Sequence, residues 1–187
     1  MQDEALSGRP RSWIRYWPIV LTVVLAGLYF SATSGIRAYV SYRIESVEGQ
    51  EVPSFRLLDR AGRRWTERDL RGKVTILNFF RSRCIGCRKE RDAIHAVAAE
   101  AKETGVQVLS IMMDQVEGYP ADVTDQTLKV FAYSHPILMA NADFVAAFHG
   151  LGWSHVTPIT YIIDAKGVVT NSLRGHQGVE TLRAASK

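Results

Sequence analysis

The chain has 187 residues, of which 47% are hydrophobic and 22% charged, so a disordered or collagen-like protein is excluded and there is room for one globular domain plus an accessory segment. The net charge is only +4, with no long basic tract, which argues against a dedicated nucleic-acid-binding protein. The two cysteines are too few for a disulfide-stapled scaffold or a four-cysteine zinc site.

An uncharged and mostly apolar stretch covers residues 17–36. As a helix rising about 1.5 Å per residue, it would cross the roughly 30 Å hydrocarbon core of a bilayer. Arginines are denser before the stretch than after it, at Arg9, Arg11 and Arg15 against Arg37 and Arg43. The positive-inside rule then places the N-terminus in the cytoplasm. We therefore predict a cytoplasmic tail over residues 1–16 and a transmembrane anchor over residues 17–36.

A cleaved signal peptide is the alternative interpretation, because Ala32, Thr33 and Ser34 supply small residues at a usable spacing. The apolar run exceeds the roughly 7–15 residues of a signal-peptide core, which favours the uncleaved anchor. The following segment, residues 37–52, is polar and of mixed charge, and it is predicted to be a linker.

Residues 53–187 alternate between predicted strands and helices. The strands are predicted over residues 55–58, 63–66, 74–80, 106–113, 159–164 and 168–172, and residues 136–139 are predicted to be a short edge strand or a loop. The helices are predicted over residues 87–104, 124–133, 142–149 and 179–185. Residues 74–80 are nearly all apolar, as in a central strand buried on both faces. This order predicts an α/β domain with a mixed central sheet, helices on both faces and a closing hairpin.

The motif Cys84-Ile-Gly-Cys87 follows the predicted central strand and opens the next helix. Unpaired N–H groups and the helix dipole favour a thiolate at that position, so Cys84 is predicted to be the reactive cysteine. Cys87 lies one helical turn further on, close enough to form a disulfide with Cys84 and better placed to be buried. It is therefore predicted to be the resolving cysteine.

Two other interpretations of the cysteine pair remain open. One is an inert structural disulfide, although so short a loop removes little chain entropy. The other is half of a metal site completed by His135, His149 or His155, although no second cysteine pair and no paired-histidine spacing accompanies the motif.

Together with this motif, several segments resemble the TlpA/ResA group of membrane-anchored, thioredoxin-like proteins. The matching segments are Pro53-x-Phe55, Leu70-Arg-Gly-Lys73, Leu77-Asn-Phe79, Cys84-x-x-Cys87-Arg-Lys-Glu90, and Thr157-Pro158 followed by Ile162-Ile-Asp-Ala-Lys-Gly167. The resemblance runs from about residue 52 to the C-terminus. It implies a thioredoxin-like fold over residues 53–187, with an N-terminal hairpin extension.

The resemblance also implies roles for residues outside the cysteine pair. Pro158 is expected to be in the cis form beside the Cys84 sulfur, and the backbone of Thr157 is expected to pair with an extended substrate. Glu90 is expected near the disulfide, where it could relay a proton to or from Cys87.

Three positions depart from familiar patterns. The group usually has Trp before the first cysteine and Pro before the second, whereas this chain has Arg83 and Gly86. Asn78 stands where true thioredoxins have a buried aspartate, as it does in this group. The changes at residues 83 and 86 are expected to alter redox tuning without removing the mechanism.

The expected function is that of a thiol-disulfide oxidoreductase, anchored in the cytoplasmic membrane, with its catalytic domain in the periplasm or at the cell exterior. It would reduce disulfides of exported proteins, for example in cytochrome c maturation. Its electrons would come from a CcdA- or DsbD-like membrane protein, and its only redox group would be the Cys84–Cys87 disulfide, with no cofactor or metal.

Two alternatives carry different chemistry. Sco-like copper metallochaperones share the fold and the single anchor, but they use a three-residue spacer between the cysteines and a downstream histidine. Peroxidase chemistry would need Thr or Ser three residues before the reactive cysteine, where this chain has Arg81.

Overall fold

The computed structural model describes residues 16–45, 47–149 and 157–187. The chain divides into two compact units, with the division between Arg43 and Ile44. Most of the predicted cytoplasmic tail and the segment that contains His155 lie outside the described residues.

Helix α1 spans Trp17–Glu45, and all but its last two residues belong to the first unit. Its segment Trp17–Tyr39 has a mean hydropathy of 1.9, no part of it is buried, and it is long and apolar enough to cross a membrane. The helix does not end at residue 36 but continues through residues 37–45, so this part of the predicted linker is helical. Those residues contain neither proline nor glycine, and nothing in their sequence stops the helix.

The start of the folded domain also differs from the predicted residue 53. The amide of Gly49 donates to the Val169 carbonyl at 2.7 Å, and the amide of Val52 donates to the Gly167 carbonyl at 2.9 Å. Val52 is buried, so residues 49–52 pack on the closing hairpin and are part of the domain rather than a linker.

The second unit has seven strands and five helices among its described residues. The strands are β1 (Arg56–Leu58), β2 (Arg64–Thr66), β3 (Thr75–Phe80), β4 (Gln107–Met112), β5 (Ile137–Met139), β6 (Ile159–Ile163) and β7 (Val169–Arg174). The helices are α2 (Ile85–Thr104), α3 (Asp114–Glu117), α4 (Ala121–Phe131), α5 (Ala142–His149) and α6 (Val179–Ala185), and a 3-10 turn covers Glu67–Leu70.

The central sheet has the strand order β5-β4-β3-β6-β7. Strands β3, β4 and β5 run parallel, whereas β6 is antiparallel to β3 and β7 is antiparallel to β6. Strands β1 and β2 form the separate N-terminal hairpin. The predicted mixed sheet of a thioredoxin-like fold is therefore confirmed.

Strand β3 occupies the middle of this sheet, and all six of its residues are buried. Because side chains alternate along a strand, residues 76, 78 and 80 face one way and residues 77 and 79 face the other. Ile76 packs with Ile94 of α2 and Leu182 of α6. On the opposite face, the ring of Phe79 lies 5.8 Å from that of Phe144 in α5. The alternation therefore directs Asn78 toward the layer that contains α2.

Candidate active site

The disulfide lies where β3 passes into α2. Cys84 is the N-cap residue of α2, and its sulfur accepts a hydrogen bond from the Cys87 amide at 3.1 Å. The two sulfurs are bonded, and the Cα atoms are 5.3 Å apart. Cys84 is 6% exposed and Cys87 1% exposed. When the bond is reduced, the helix N-terminus favours a thiolate on Cys84, consistent with the predicted roles of the two cysteines.

A buried carboxylate fixes the loop that leads to Cys84. The amide of Ser82 donates to Asp114 Oδ1 at 2.7 Å, and the Ser82 hydroxyl donates to Asp114 Oδ2. Thr124 donates its hydroxyl to the same oxygen at 2.8 Å. These bonds hold the residue next to Arg83, whose φ of 55° lies in the left-handed region that side chains other than glycine rarely adopt.

Asp114 is a site residue that the sequence motifs do not single out, although a signal for it exists. Asp114 follows β4 and Ser82 follows β3, and these two strands are parallel neighbours. The carboxyl ends of such strands meet at one edge of a sheet, which is where functional polar groups collect.

The segment Thr157-Pro158 lies on the other side of the disulfide. Its peptide bond is cis, as the resemblance implies. The Pro158 ring lies directly against Gly86, because a Cβ atom built on Gly86 would be 2.8 Å from Pro158 Cδ. Glycine between the cysteines thus permits a close approach of the proline that an alanine would obstruct.

Arg81 connects this segment to the remainder of the site. Its Nε donates to Thr157 Oγ1 at 2.9 Å, and its Nη1 donates to the Tyr119 hydroxyl at 2.8 Å. Arg81 also occupies the position where peroxidase chemistry would need Thr or Ser. The structure thus brings together residues 81, 119 and 157, which are far apart in the sequence.

Glu90 is 1% exposed, so it is not a solvated helix residue. Its carboxylate accepts hydrogen bonds from Asn78 Nδ2 at 2.8 Å, Thr160 Oγ1 at 3.3 Å and the Gln177 amide at 3.2 Å. Burial raises the pKa of Glu90 to about 7, and these hydrogen bonds oppose part of that rise.

Glu90 follows Cys87 by three residues on α2, so both side chains lie on the same face of the helix. With a pKa near neutrality, the carboxyl group can both hold and release a proton under physiological conditions. This position suits the expected relay between Glu90 and Cys87.

Of the three candidate metal-binding histidines, only the side chain of His135 is described, and its contacts do not favour a metal site. His135 is engaged with Ser110, at 2.8 Å from Nε2 to the hydroxyl oxygen, and burial lowers its pKa to about 4. The side chain of His149 and the whole of His155 lie outside the described part of the chain. In the part that is described, no three His, Cys, Asp or Glu side chains form a group that could hold a metal ion.

Comparisons with known proteins point to one chemistry. Residues 48–172 match the model of the AhpC/TSA family. The thiol-disulfide oxidoreductase ResA of Bacillus anthracis is 26% identical over 171 residues, covering 88% of this chain and 92% of that protein. The thioredoxin-like protein YneN of Bacillus subtilis is 27% identical, covering 80% and 84%. The resemblance to the TlpA/ResA group is confirmed.

Solved structures show the same fold. A thio-disulfide isomerase from Thermus thermophilus has a TM-score of 0.56 at 29% identity, covering 74% of this chain and 93% of that one. A thiol:disulfide interchange protein of the thioredoxin family from Chlorobium tepidum has a TM-score of 0.62 at 23% identity, covering 74% and 94%.

The raised pKa of Glu90 predicts a pH-dependent stability. The unfolded carboxyl group titrates near 4.5 and the folded one near 7, so the protonated form stabilises the fold. This stabilisation is complete below pH 4.5 and is lost as pH rises through 7. Relative to Glu90→Gln, the oxidised wild type should lose about 3 kcal/mol of unfolding free energy between pH 4 and pH 8.

Denaturant unfolding of both proteins at each pH measures this difference. The lowered pKa of His135 makes the fold more stable as pH rises, and this contribution cancels because both proteins contain His135. Glu103 is exposed on the same helix, so Glu103→Gln serves as the matched control and should show a flat difference. A flat difference for Glu90→Gln would instead mean that the folded carboxyl group titrates normally.

Gly86→Ala should be destabilising, because the new Cβ would lie 2.8 Å from a ring atom of Pro158 that cannot rotate away. We expect a loss of about 1–3 kcal/mol, typical of overpacking. Gly178→Ala is the control, since a Cβ there meets nothing within 4 Å. Denaturant unfolding of the two variants measures the difference. Equal stability would contradict the prediction, because it would mean that the Pro158 segment shifts away from the new Cβ without a cost in stability.

Proposed function

The chain belongs to the AhpC/TSA family, and we propose that it is a membrane-anchored thiol-disulfide oxidoreductase that reduces disulfides of exported proteins. The observation that carries this proposal is the disulfide at the N-terminus of α2, with Pro158 beside it and the buried Glu90 one turn beyond Cys87. The redox group is the cysteine pair itself.

The proposed reaction begins with the reduced pair. The Cys84 thiolate attacks one sulfur of the substrate disulfide, so that a Cys84–substrate bond forms, the substrate bond breaks and one substrate thiolate leaves. The Cys87 thiolate then attacks the Cys84 sulfur, which forms the Cys84–Cys87 disulfide and releases the second substrate thiolate. Two electrons pass to the substrate, and both of its sulfurs take up protons.

Glu90 would serve the second step as a positioned base. Cys87 is almost fully buried, so its thiol needs a nearby acceptor for its proton when it attacks Cys84. A carboxylate with a pKa of about 7 on the same helix face can accept that proton and later return it. In this scheme Thr157 and Pro158 form the surface along which the substrate chain lies.

Each turnover leaves the pair oxidised, so continued reduction requires an electron donor. We propose a CcdA- or DsbD-like membrane protein in this role, with α1 holding the domain at the same membrane. Substrates in cytochrome c maturation fit this setting, because their cysteines must be reduced in an oxidising compartment. The donor and the substrates are parts of the proposal that rest on the resemblance.

Replacing Cys87 tests the proposed sequence of steps. Cys87→Ala removes the resolving attack, so mixed disulfides between Cys84 and substrate proteins should accumulate. Cys84→Ala is the matched control and should trap nothing. Acid quenching of cells, alkylation of free thiols and non-reducing electrophoresis would measure the adducts, while insulin reduction by each purified variant should fall to the uncatalysed rate.

Adduct trapping by Cys87→Ala, combined with copper titration of the purified wild type, decides between the reductase and the copper metallochaperone. Copper titration of the reduced wild-type protein should show no tight binding if the pair works as a reductase. Absence of any adduct on Cys87→Ala, together with tight copper binding by the wild type, would favour the metallochaperone.

The proposed topology has the N-terminus in the cytoplasm and the folded domain on the other side of the membrane. Alkaline phosphatase fused after Lys187 should then be active, and green fluorescent protein fused at the same point should be dark. A fusion of green fluorescent protein after Arg15 lacks α1 and should fluoresce. Strong fluorescence of the Lys187 fusion would overturn this orientation, and release of the folded domain from membranes would indicate a cleaved signal.

A further inference from the structure

Within the described part of the chain, the Arg81 guanidinium donates hydrogen bonds only to neutral hydroxyl groups, one of them on Thr157 next to Pro158. Arg81 is half-buried and precedes Cys84 by three residues. Its two hydrogen bonds go to the hydroxyl oxygens of Thr157 and Tyr119, at 2.9 and 2.8 Å. A guanidinium has five N–H donors in a rigid plane, and these two hydrogen bonds use two of them.

Among the described residues no carboxylate forms an ion pair with Arg81, and the ion pairs that are present involve other arginines. The buried carboxylate of Asp114 accepts hydrogen bonds from Ser82 and Thr124 and forms no ion pair with Arg81. Residues 150–156 contain no Asp or Glu. The surroundings add positive charge, since the Arg83 guanidinium lies 5.9 Å from the centre of the Tyr119 ring.

The hydrogen bond to Thr157 fixes Arg81 relative to the surface where the substrate is proposed to bind. Thr157 immediately precedes Pro158, whose ring packs on Gly86 between the two cysteines. A polypeptide that lies along this segment with its cysteine at Cys84 must therefore pass close to the guanidinium. Tyr119 restrains the other side of the group, so its orientation is set before a ligand arrives.

We propose that Arg81, held by Thr157 and Tyr119, is a specificity residue that pairs with a carboxylate of the substrate, from an Asp or Glu next to the reactive cysteine. This inference rests on the proposed function and deepens it. A half-buried cation that forms no ion pair within the described residues can gain one from a ligand carboxylate, and the planar guanidinium matches a carboxylate through paired N–H donors. The favoured substrates are disulfide-bearing polypeptides with an acidic residue beside the cysteine.

The test uses the reduced full-length protein in detergent and three disulfide-linked peptide dimers. The peptides differ only at one residue next to the cysteine, which is Asp, Asn or Lys, and a second set varies the residue on the other side. Acid-quenched chromatography gives the second-order rate constant for each reduction. For at least one flanking position, the wild type should reduce the Asp peptide about tenfold faster than the Asn peptide, and the Lys peptide should be slowest.

Variants of Arg81 should change the ranking of the peptides. Arg81→Gln should bring the Asp to Asn ratio close to one, and Arg81→Glu should favour the Lys peptide. Arg64 is exposed in the N-terminal hairpin, so Arg64→Gln removes the same charge elsewhere and should leave the ratio unchanged. Thermal unfolding would verify that each variant is folded, and if Arg81 variants do not fold, the wild-type ranking alone decides.

Reduction of hydroxyethyl disulfide, a small neutral substrate, separates recognition from tuning of the thiolate. If Arg81→Gln slows this substrate and all three peptides equally, Arg81 acts on the Cys84 thiolate and the proposed specificity role is wrong. Equal wild-type rates for the Asp, Asn and Lys peptides in both sets would also overturn it. A wild type that reduces neither the peptides nor hydroxyethyl disulfide would instead contradict the proposed function itself.

Discussion

The burial of β3 on both faces is the constraint on which the rest of the domain depends. The strand pairs in parallel with β4 and antiparallel with β6, so its backbone is held from both sides. Its side chains anchor helices on both faces of the sheet, which leaves the strand no freedom to slide or rotate. The loop that leaves its carboxyl end therefore starts from a fixed point, and the Ser82–Asp114 hydrogen bonds fix the backbone of this loop two residues before Cys84.

The same alternation along β3 explains how a carboxyl group comes to be buried near the disulfide. Asn78 faces α2 and donates to Glu90, while Thr160 on the neighbouring strand and the Gln177 amide close over the other carboxylate oxygen. For a carboxyl group with so little access to water, the neutral, protonated form is favoured over the charged carboxylate. The acid–base property of Glu90 thus follows from the sheet that covers it rather than from its position in the motif.

Local patterns in the sequence were sufficient for some features and not for others. The cysteine pair, the central strand and the closing hairpin each depend on neighbours in the chain, and the structure has all of them. The helix through residues 37–45 is also readable, because that segment lacks helix breakers, although its polarity alone suggests a linker. In contrast, the burial of Glu90 and the contact between Arg81 and Thr157 join residues far apart in sequence. No spacing rule encodes such contacts, since they depend on how the strands are ordered in the sheet.

The packing of Pro158 on Gly86 also limits how this active site could be re-engineered. Exchanging the two residues between the cysteines for those of another oxidoreductase is commonly regarded as a local alteration. Here any residue with a Cβ at position 86 enters the space of the Pro158 ring. A grafted dipeptide would therefore need a compensating change in the segment around residue 158, and the effects of the two sites on stability would not be additive. In this protein the dipeptide between the cysteines and the Pro158 segment must therefore be exchanged together.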